Sequence, residues 1–482
     1  MNLTLTCLLV SGALLLAACS PPAGAPAESE APSPAALASE TVSAAAVPPT
    51  DASTPWPSAT PAPTSLNPDG PYILFEGFGG LWLANPDGSF PKRVFDEGIG
   101  SPYRDLHHAV SPDGERLALI RSSDSGAELI IIHLPDGKVE ATIHLVDRPE
   151  PANQLTPLGL AFHAISNYDM VAWQPSDGRL LAFVGAMQGD TADLYIYDTQ
   201  TAEVTRLTDG PSQALAPTWS PDGKYVLHFG GSWVEPLGGA LIGYNRPDGA
   251  WAVRIADGAI ITQPGKDYTH ANFLGWIDDS HYLISHLDDD CAARNIDSVA
   301  VADGKRERVF EGCFDGYQGF SPETGAVLLS SSVCDNCPLG EGAFLLVPGE
   351  AEPLKIWDER AWEITYLPES RAFDVYELGV VTDDGLRLEV PPDTSAVAVS
   401  RQGYVAWLEM VGQLEWQVQV GRPGEVMQVI DLPLGALIWD PVEGTTLVGS
   451  TGGMVYAASA PDFAVRAVGE LGDGADQAIW VP

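Results

Sequence analysis

The chain has 482 residues, 45% of them apolar and 18% charged, which is enough apolar material to bury a large core. Its 65 acidic residues against 24 basic ones give a formal net charge of -41 at pH 7. A surface of that sign repels phosphate backbones and anionic lipid head groups, which excludes nucleic acid as a partner.

Residues 3–16 form an apolar run broken only by small or hydroxyl residues and Cys7, ending in Leu16-Ala17-Ala18-Cys19. This tetrapeptide resembles the lipobox of bacterial lipoproteins. It departs from the family's usual basic start, since residues 1–18 contain no Lys or Arg. The resemblance implies a signal peptide over residues 1–18, cleavage before Cys19 and a lipid on the Cys19 sulfur. It also implies an extracytoplasmic location, anchored to the cell membrane or to an outer membrane where one is present. No other stretch reaches the roughly 18 consecutive apolar residues of a spanning helix, so the lipid is the one membrane attachment expected.

Residues 20–67 hold eleven Pro and thirteen Ala and no basic residue. Such a composition cannot close a core, and its prolines favour extended segments. Residues 19–67 are therefore expected to be a disordered, lipid-anchored Pro/Ala/Ser-rich linker, reaching roughly 40 Å as a coil.

From Gly70 onward one theme repeats: an apolar stretch, a tight turn, then further short strands. The clearest copies are Val110-Ser111-Pro112-Asp113-Gly114, Trp173-Gln174-Pro175-Ser176-Asp177-Gly178 and Trp219-Ser220-Pro221-Asp222-Gly223. Weaker copies start at Trp276, Phe320, Tyr366, Val399 and Trp439, and the Val399 copy reads Val399-Ser400-Arg401-Gln402-Gly403. In such a turn Pro presets φ, Asp caps through its side chain and Gly takes the left-handed conformation. Within one unit, Leu180 to Val184, Leu194 to Tyr197 and Thr205 to Leu207 read as successive strands. Four short strands per unit, with no amphipathic helix expected between units, predict an all-β fold: a single β-propeller over residues 68–482. The repeated Trp173, Trp219, Trp276 and Trp439 are expected to pack at blade junctions. Gln477 to Val481 has the innermost-strand pattern, and residues 72–75, 80–84 and 92–95 lack an inner strand, so the two ends are expected to pair in one blade.

The Ser-Pro-Asp-Gly turn, followed by strands such as Asp193-Leu194-Tyr195-Ile196-Tyr197-Asp198, resembles the TolB-type, WD-repeat-like propeller repeat of bacterial envelope proteins. The resemblance specifies fold and leaves function open. The anchors at 110, 173, 219, 276, 320, 366, 399, 439 and 480 would give nine blades, beyond the usual four to eight. Eight blades are favoured, with the short Tyr366 to Val399 interval hiding a false anchor, and seven and nine remain open.

No Gly-x-Ser-x-Gly elbow, His-Glu-x-x-His or phosphate-cradling Gly-rich loop is present. With the sequence ending at Pro482, no hydrolase domain is expected after the propeller. Cys291, Cys313, Cys334 and Cys337 lie close together in a chain read as exported, which favours disulfides over zinc. The pairing expected is Cys291 with Cys313 and Cys334 with Cys337, among three connectivities. No cofactor is expected beyond a calcium candidate at Asp288, Asp290 and Asp297, whose spacing does not match an EF-hand. Trp233, Tyr244 and Trp251 offer aromatic rings either for a ligand or for packing over a blade.

In a propeller the loop entering each inner strand lies beside the channel mouth. Residues just before the anchors should therefore ring that opening: Arg104, His107 and His108; Tyr168 and Asp169; Asp267, Tyr268 and His270; Asp315 and Tyr317. Their aromatic faces, imidazoles and carboxylates suit an uncharged polar or cationic ligand. The function expected is a cell-envelope binding or scaffolding module for a protein or glycan partner. The alternative is a propeller enzyme or substrate-gating domain acting on peptides or sugars.

Overall fold

The structure is a computed structural model that describes residues 65–482, except 68–69, 78–79, 98–105, 151–155, 168, 190, 211–212, 232–246, 263–271, 288–293, 313, 315–317, 332–338, 351, 377, 389–393, 413–414, 424, 431–436, 441–442, 452 and 472–474.

Short strands separated by tight turns pair with their sequence neighbours, so each unit becomes an antiparallel meander whose first strand lies innermost. The Ser-Pro-Asp-Gly turns show why. Ser111 is buried, its hydroxyl bonds the Asp113 carboxylate and it accepts the Arg116 N–H at 2.9 Å. Ser220 does the same with Asp222 at 2.8 Å and the Tyr225 N–H at 3.0 Å. Gly114 and Gly223 sit at φ of 70° and 67°, where a side chain would be strained.

Nine blades result. Eight are four-stranded sheets, and the ninth has three strands, Arg116–Ser122, Gly126–His133 and Lys138–Asp147, with the single bridge Val110↔Leu117 at its inner edge. Numbering from the closing blade, this is blade 2. The chain is thus a β-propeller with nine units where eight were favoured. The Tyr366 and Val399 anchors are both genuine, ending the inner strands Ile364–Leu367 and Thr394–Val399 of blades 7 and 8. The interval between them is short because blade 7 is built from strands of four residues or fewer. Blade 1 joins the ends of the described chain: Ala475–Val481 pairs antiparallel with Tyr72–Gly77, Ile73 opposite Trp480 and Leu74 opposite Ile479.

Among the described residues two α-helices depart from the all-strand expectation. Helix α1 is Leu106–Ala109 and helix α2 is Pro157–Asn167. The second fills much of the long interval between the Val110 and Trp173 anchors. Thr156 caps it by accepting the Gly159 N–H at 3.3 Å, and Pro157 occupies its first turn. Ala161, Ala164 and Ile165 bury its inner face in the core shared by blades 2 and 3. Among the described residues no helix is long and apolar enough to cross a membrane.

The core runs between blades. Trp173, Trp219, Trp276 and Trp439 are buried, each ending an inner strand. The channel-side edge of every inner strand has no sheet neighbour, so backbone N–H and C=O groups face the channel.

Candidate functional site

Among the described residues blade 2 has no inner strand before Val110, and α1 stands in that position. Leu106 and Ala109, three residues apart, are buried and pin the turn to the core, which leaves His107 and His108 between them. The turn is tied to both neighbouring blades. Its Leu106 N–H donates to Gln477 Oε1 of blade 1 at 3.4 Å, and its Ala109 carbonyl accepts the Trp173 indole N–H of blade 3 at 2.8 Å.

Helix α2 then returns the chain toward the channel and ends two residues before Asp169. The Asp169 carboxylate lies 3.2 Å from His108 Nδ1, in an exposed pair. His107, His108 and Asp169 share a cavity of 530 Å³ with Trp173, Thr218 and Phe273 on its wall. An imidazole oriented by a carboxylate through one nitrogen presents the other to a ligand, and the aromatic wall supplies an apolar contact surface.

Of the residues expected at the channel mouth, the structure brings together His107, His108 and Asp169. Arg104, Tyr168, Asp267, Tyr268, His270, Asp315 and Tyr317 lie outside the described residues, as do Cys19, Cys291, Cys313, Cys334, Cys337, Asp288 and Asp290. Asp297 is described and its carboxylate is already engaged: Oδ2 meets His286 Nε2 at 2.8 Å and Oδ1 accepts from Arg308 Nε at 2.5 Å. Burial pushes this carboxyl up, but the hydrogen bonds from His286 and Arg308 outweigh burial and hold it below the usual range. Trp251 stacks on the buried His228 ring with centroids 5.8 Å apart, which places this aromatic in packing; Trp233 and Tyr244 lie outside the described residues. Among the described residues no group of three or more His, Cys, Asp or Glu side chains gathers as a metal site.

A second cavity, of 330 Å³, also touches His107 and was not anticipated from sequence. Its wall comes from blades 7, 8, 9 and 1, through Thr365, Tyr366, Arg401, Trp439 and Trp480. The Tyr366 hydroxyl bonds Glu323 and Ser321, and burial together with the Glu323 bond pushes its ionisation above the ordinary range. The signal in the sequence was Arg401. It occupies the place that Pro112 holds in the clear turn copy, and Pro112, Pro175 and Pro368 all line channel cavities.

No protein-family model matches the chain. An uncharacterized peptidase, YuxL, of Bacillus subtilis (strain 168) is 49% identical over 55 residues, 11% of this chain and 8% of the relative. The uncharacterized protein Atu1656 of Agrobacterium fabrum (strain C58) is 27% identical over 193 residues, 40% of this chain and 57% of the relative. The chain therefore spans well under two thirds of either relative's length. Among solved structures, TolB from Acinetobacter baumannii aligns over 76% of this chain and 82% of its own, with TM-score 0.28 and 13% identity. Peptidases and oligogalacturonate lyases align similarly, with TM-scores of 0.45 or below. The β-propeller is read from the chain's own sheet order.

Proposed function

We propose that this chain is a lipid-anchored envelope protein whose propeller binds a protein or glycan partner at the channel end carrying His107, His108 and Asp169. The observation that carries the reading is the replacement of an inner strand by α1. A strand there would complete the blade; the helical turn instead sets two imidazoles on the channel, one of them paired with a carboxylate. Cys19 is the lipidated residue in this reading, residues 19–67 are the tether, and Cys291–Cys313 and Cys334–Cys337 are the disulfides. The acidic body steers an uncharged polar or cationic group of the partner toward this end.

The test is a cross-linking pull-down from the envelope fraction with the full chain, comparing wild type with a His108→Ala, Tyr268→Ala, His270→Ala variant. The variant should keep its thermal melt and lose the partner; an unchanged partner yield would overturn the assignment. Detergent partitioning of Cys19→Ser tests the tether, since a correctly cleaved variant still in the membrane phase would contradict it. The His108–Asp169 pair is also what an enzyme would use as an oriented base. Turnover of a peptide or sugar substrate that disappears in His108→Ala would favour that alternative.

A further inference from the structure

Arg401 is exposed and lines the 330 Å³ channel cavity. In a chain with 65 acidic residues it has no hydrogen bond, ion pair or ring contact among the described residues. Every other arginine whose side chain is described has at least one partner. Asp440, which lines the same cavity, is buried and accepts the Glu443 N–H at 3.3 Å.

The position is as informative as the lack of a partner. Blades 2, 3 and 7 place the prolines Pro112, Pro175 and Pro368 on the channel at this point of the turn and blade 5 has Asp278 there in sequence, whereas blade 8 places a guanidinium. The rest of the wall is largely apolar, with Leu367, Val399, Ile438, Trp439 and Trp480, and the exposed Thr365 adds a hydroxyl. A guanidinium fork matches a carboxylate through two parallel N–H···O bonds. A polyanion would face the repulsion of the whole molecule, whereas a single carboxylate on an apolar body meets one local cation and an apolar wall.

We infer that this cavity is a binding site for an apolar molecule ending in one carboxylate, held by Arg401 with its body against Trp439 and Trp480. The cavity shares His107 with the one that holds His108 and Asp169, and the site rests on the lining of this cavity rather than on the partner-binding reading. The chemistry is shared by the C-terminus of an apolar peptide and by a free aromatic acid.

The experiment titrates the full chain with N-acetyl-Leu-Phe as free acid, with its carboxamide and with 3-phenylpropionate, read by calorimetry and by tryptophan fluorescence. At least one acid should bind, the carboxamide about tenfold or more weaker than its acid, and Arg401→Gln should erase the difference. Arg401→Pro, which installs the residue that blades 2, 3 and 7 carry, should do the same while retaining the wild-type melt. Binding of the peptide acid alone assigns the site to a chain end, and of phenylpropionate alone to a small acid. Equal binding of acid and amide, unchanged affinity in Arg401→Gln, or no binding of either acid would overturn the inference. The His108 pull-down reads other variants and a macromolecular partner, so the two tests can fail separately.

Discussion

The indole N–H of Trp173 donates to the carbonyl of Ala109 at 2.8 Å, and this bond recurs around the ring. Trp219 donates to Ala172 at 2.8 Å and Trp439 to Ala398 at 2.9 Å. Each acceptor is the residue just before the preceding blade's anchor, on an edge that no strand covers. Neighbouring blades are thereby joined by a directional contact in addition to apolar packing, and in blade 2 the same bond holds α1 in the absent strand's place.

The bond gives a contrast between two tryptophans at equivalent positions. The Trp480 indole N–H is buried and has no partner among the described residues, whereas that of Trp439 is bonded to Ala398. Trp439→Phe should cost about 1 kcal/mol more than Trp480→Phe, because only the former gives up an indole hydrogen bond to a carbonyl. Urea melts of the two variants measure the difference, and equal losses would contradict it.

What was legible in the sequence follows from what is local. Turn chemistry at Ser111 to Gly114 and Ser220 to Gly223, and strand alternation between turns, are short-range signals, so the propeller and all nine anchors could be read. The preference for eight blades failed because a prior on blade number outweighed those signals. Helix α2 was missed because its buried face is small, with Ala161 and Ala164 reading as neutral rather than apolar. Arg401 was visible as a departure from the turn pattern, but a residue gains chemical meaning only from what surrounds it. That its neighbours would be Thr365, Trp439 and Trp480, each from another blade, is a property of ring closure that no local pattern encodes.

Removing residues 475–482 should open the ring. The deletion strips the inner strand from blade 1, unburies Leu74 and Ile73, and takes away the buried Ile479 and Val481. Two such side chains alone correspond to about 3–6 kcal/mol, and the exposed Tyr72–Gly77 edge invites association with other chains. Thermal melting with light scattering should show a lower midpoint and aggregation; an unchanged midpoint in a monomeric truncation would contradict closure by this strand.

The Asp297 carboxylate is buried between His286 and Arg308. Asp297→Ala should cost about 1–3 kcal/mol, since the buried His286 ring loses the carboxylate it bonds, whereas Arg308 is exposed and keeps Glu311. The carboxyl's ionisation is depressed in the folded state, so its contribution is present above the unfolded value and disappears as pH falls through the folded one. The penalty of Asp297→Asn should accordingly be largest near neutrality and shrink in acid, as denaturant melts over a pH series would show.

Asp374 predicts the opposite trend. It lies opposite Thr365 in the blade 7 sheet, and its ionisation is pushed up to about 6, first by burial and then by the nearby charge of Glu363. A carboxyl whose folded value lies above its unfolded value favours the native state while it is protonated. That stabilisation is full below about pH 4 and is lost as pH rises through about 6. The ionised group therefore costs the native state on the order of 2–3 kcal/mol at pH 8. Asp374→Asn keeps the size and removes the charge, so it should stabilise the protein by roughly that amount at pH 8 and hardly at all at pH 4. Guanidinium melts of both proteins at several pH values measure this directly. A stability difference that stays flat with pH, or that grows toward acid, would show that Asp374 titrates as an ordinary surface carboxyl.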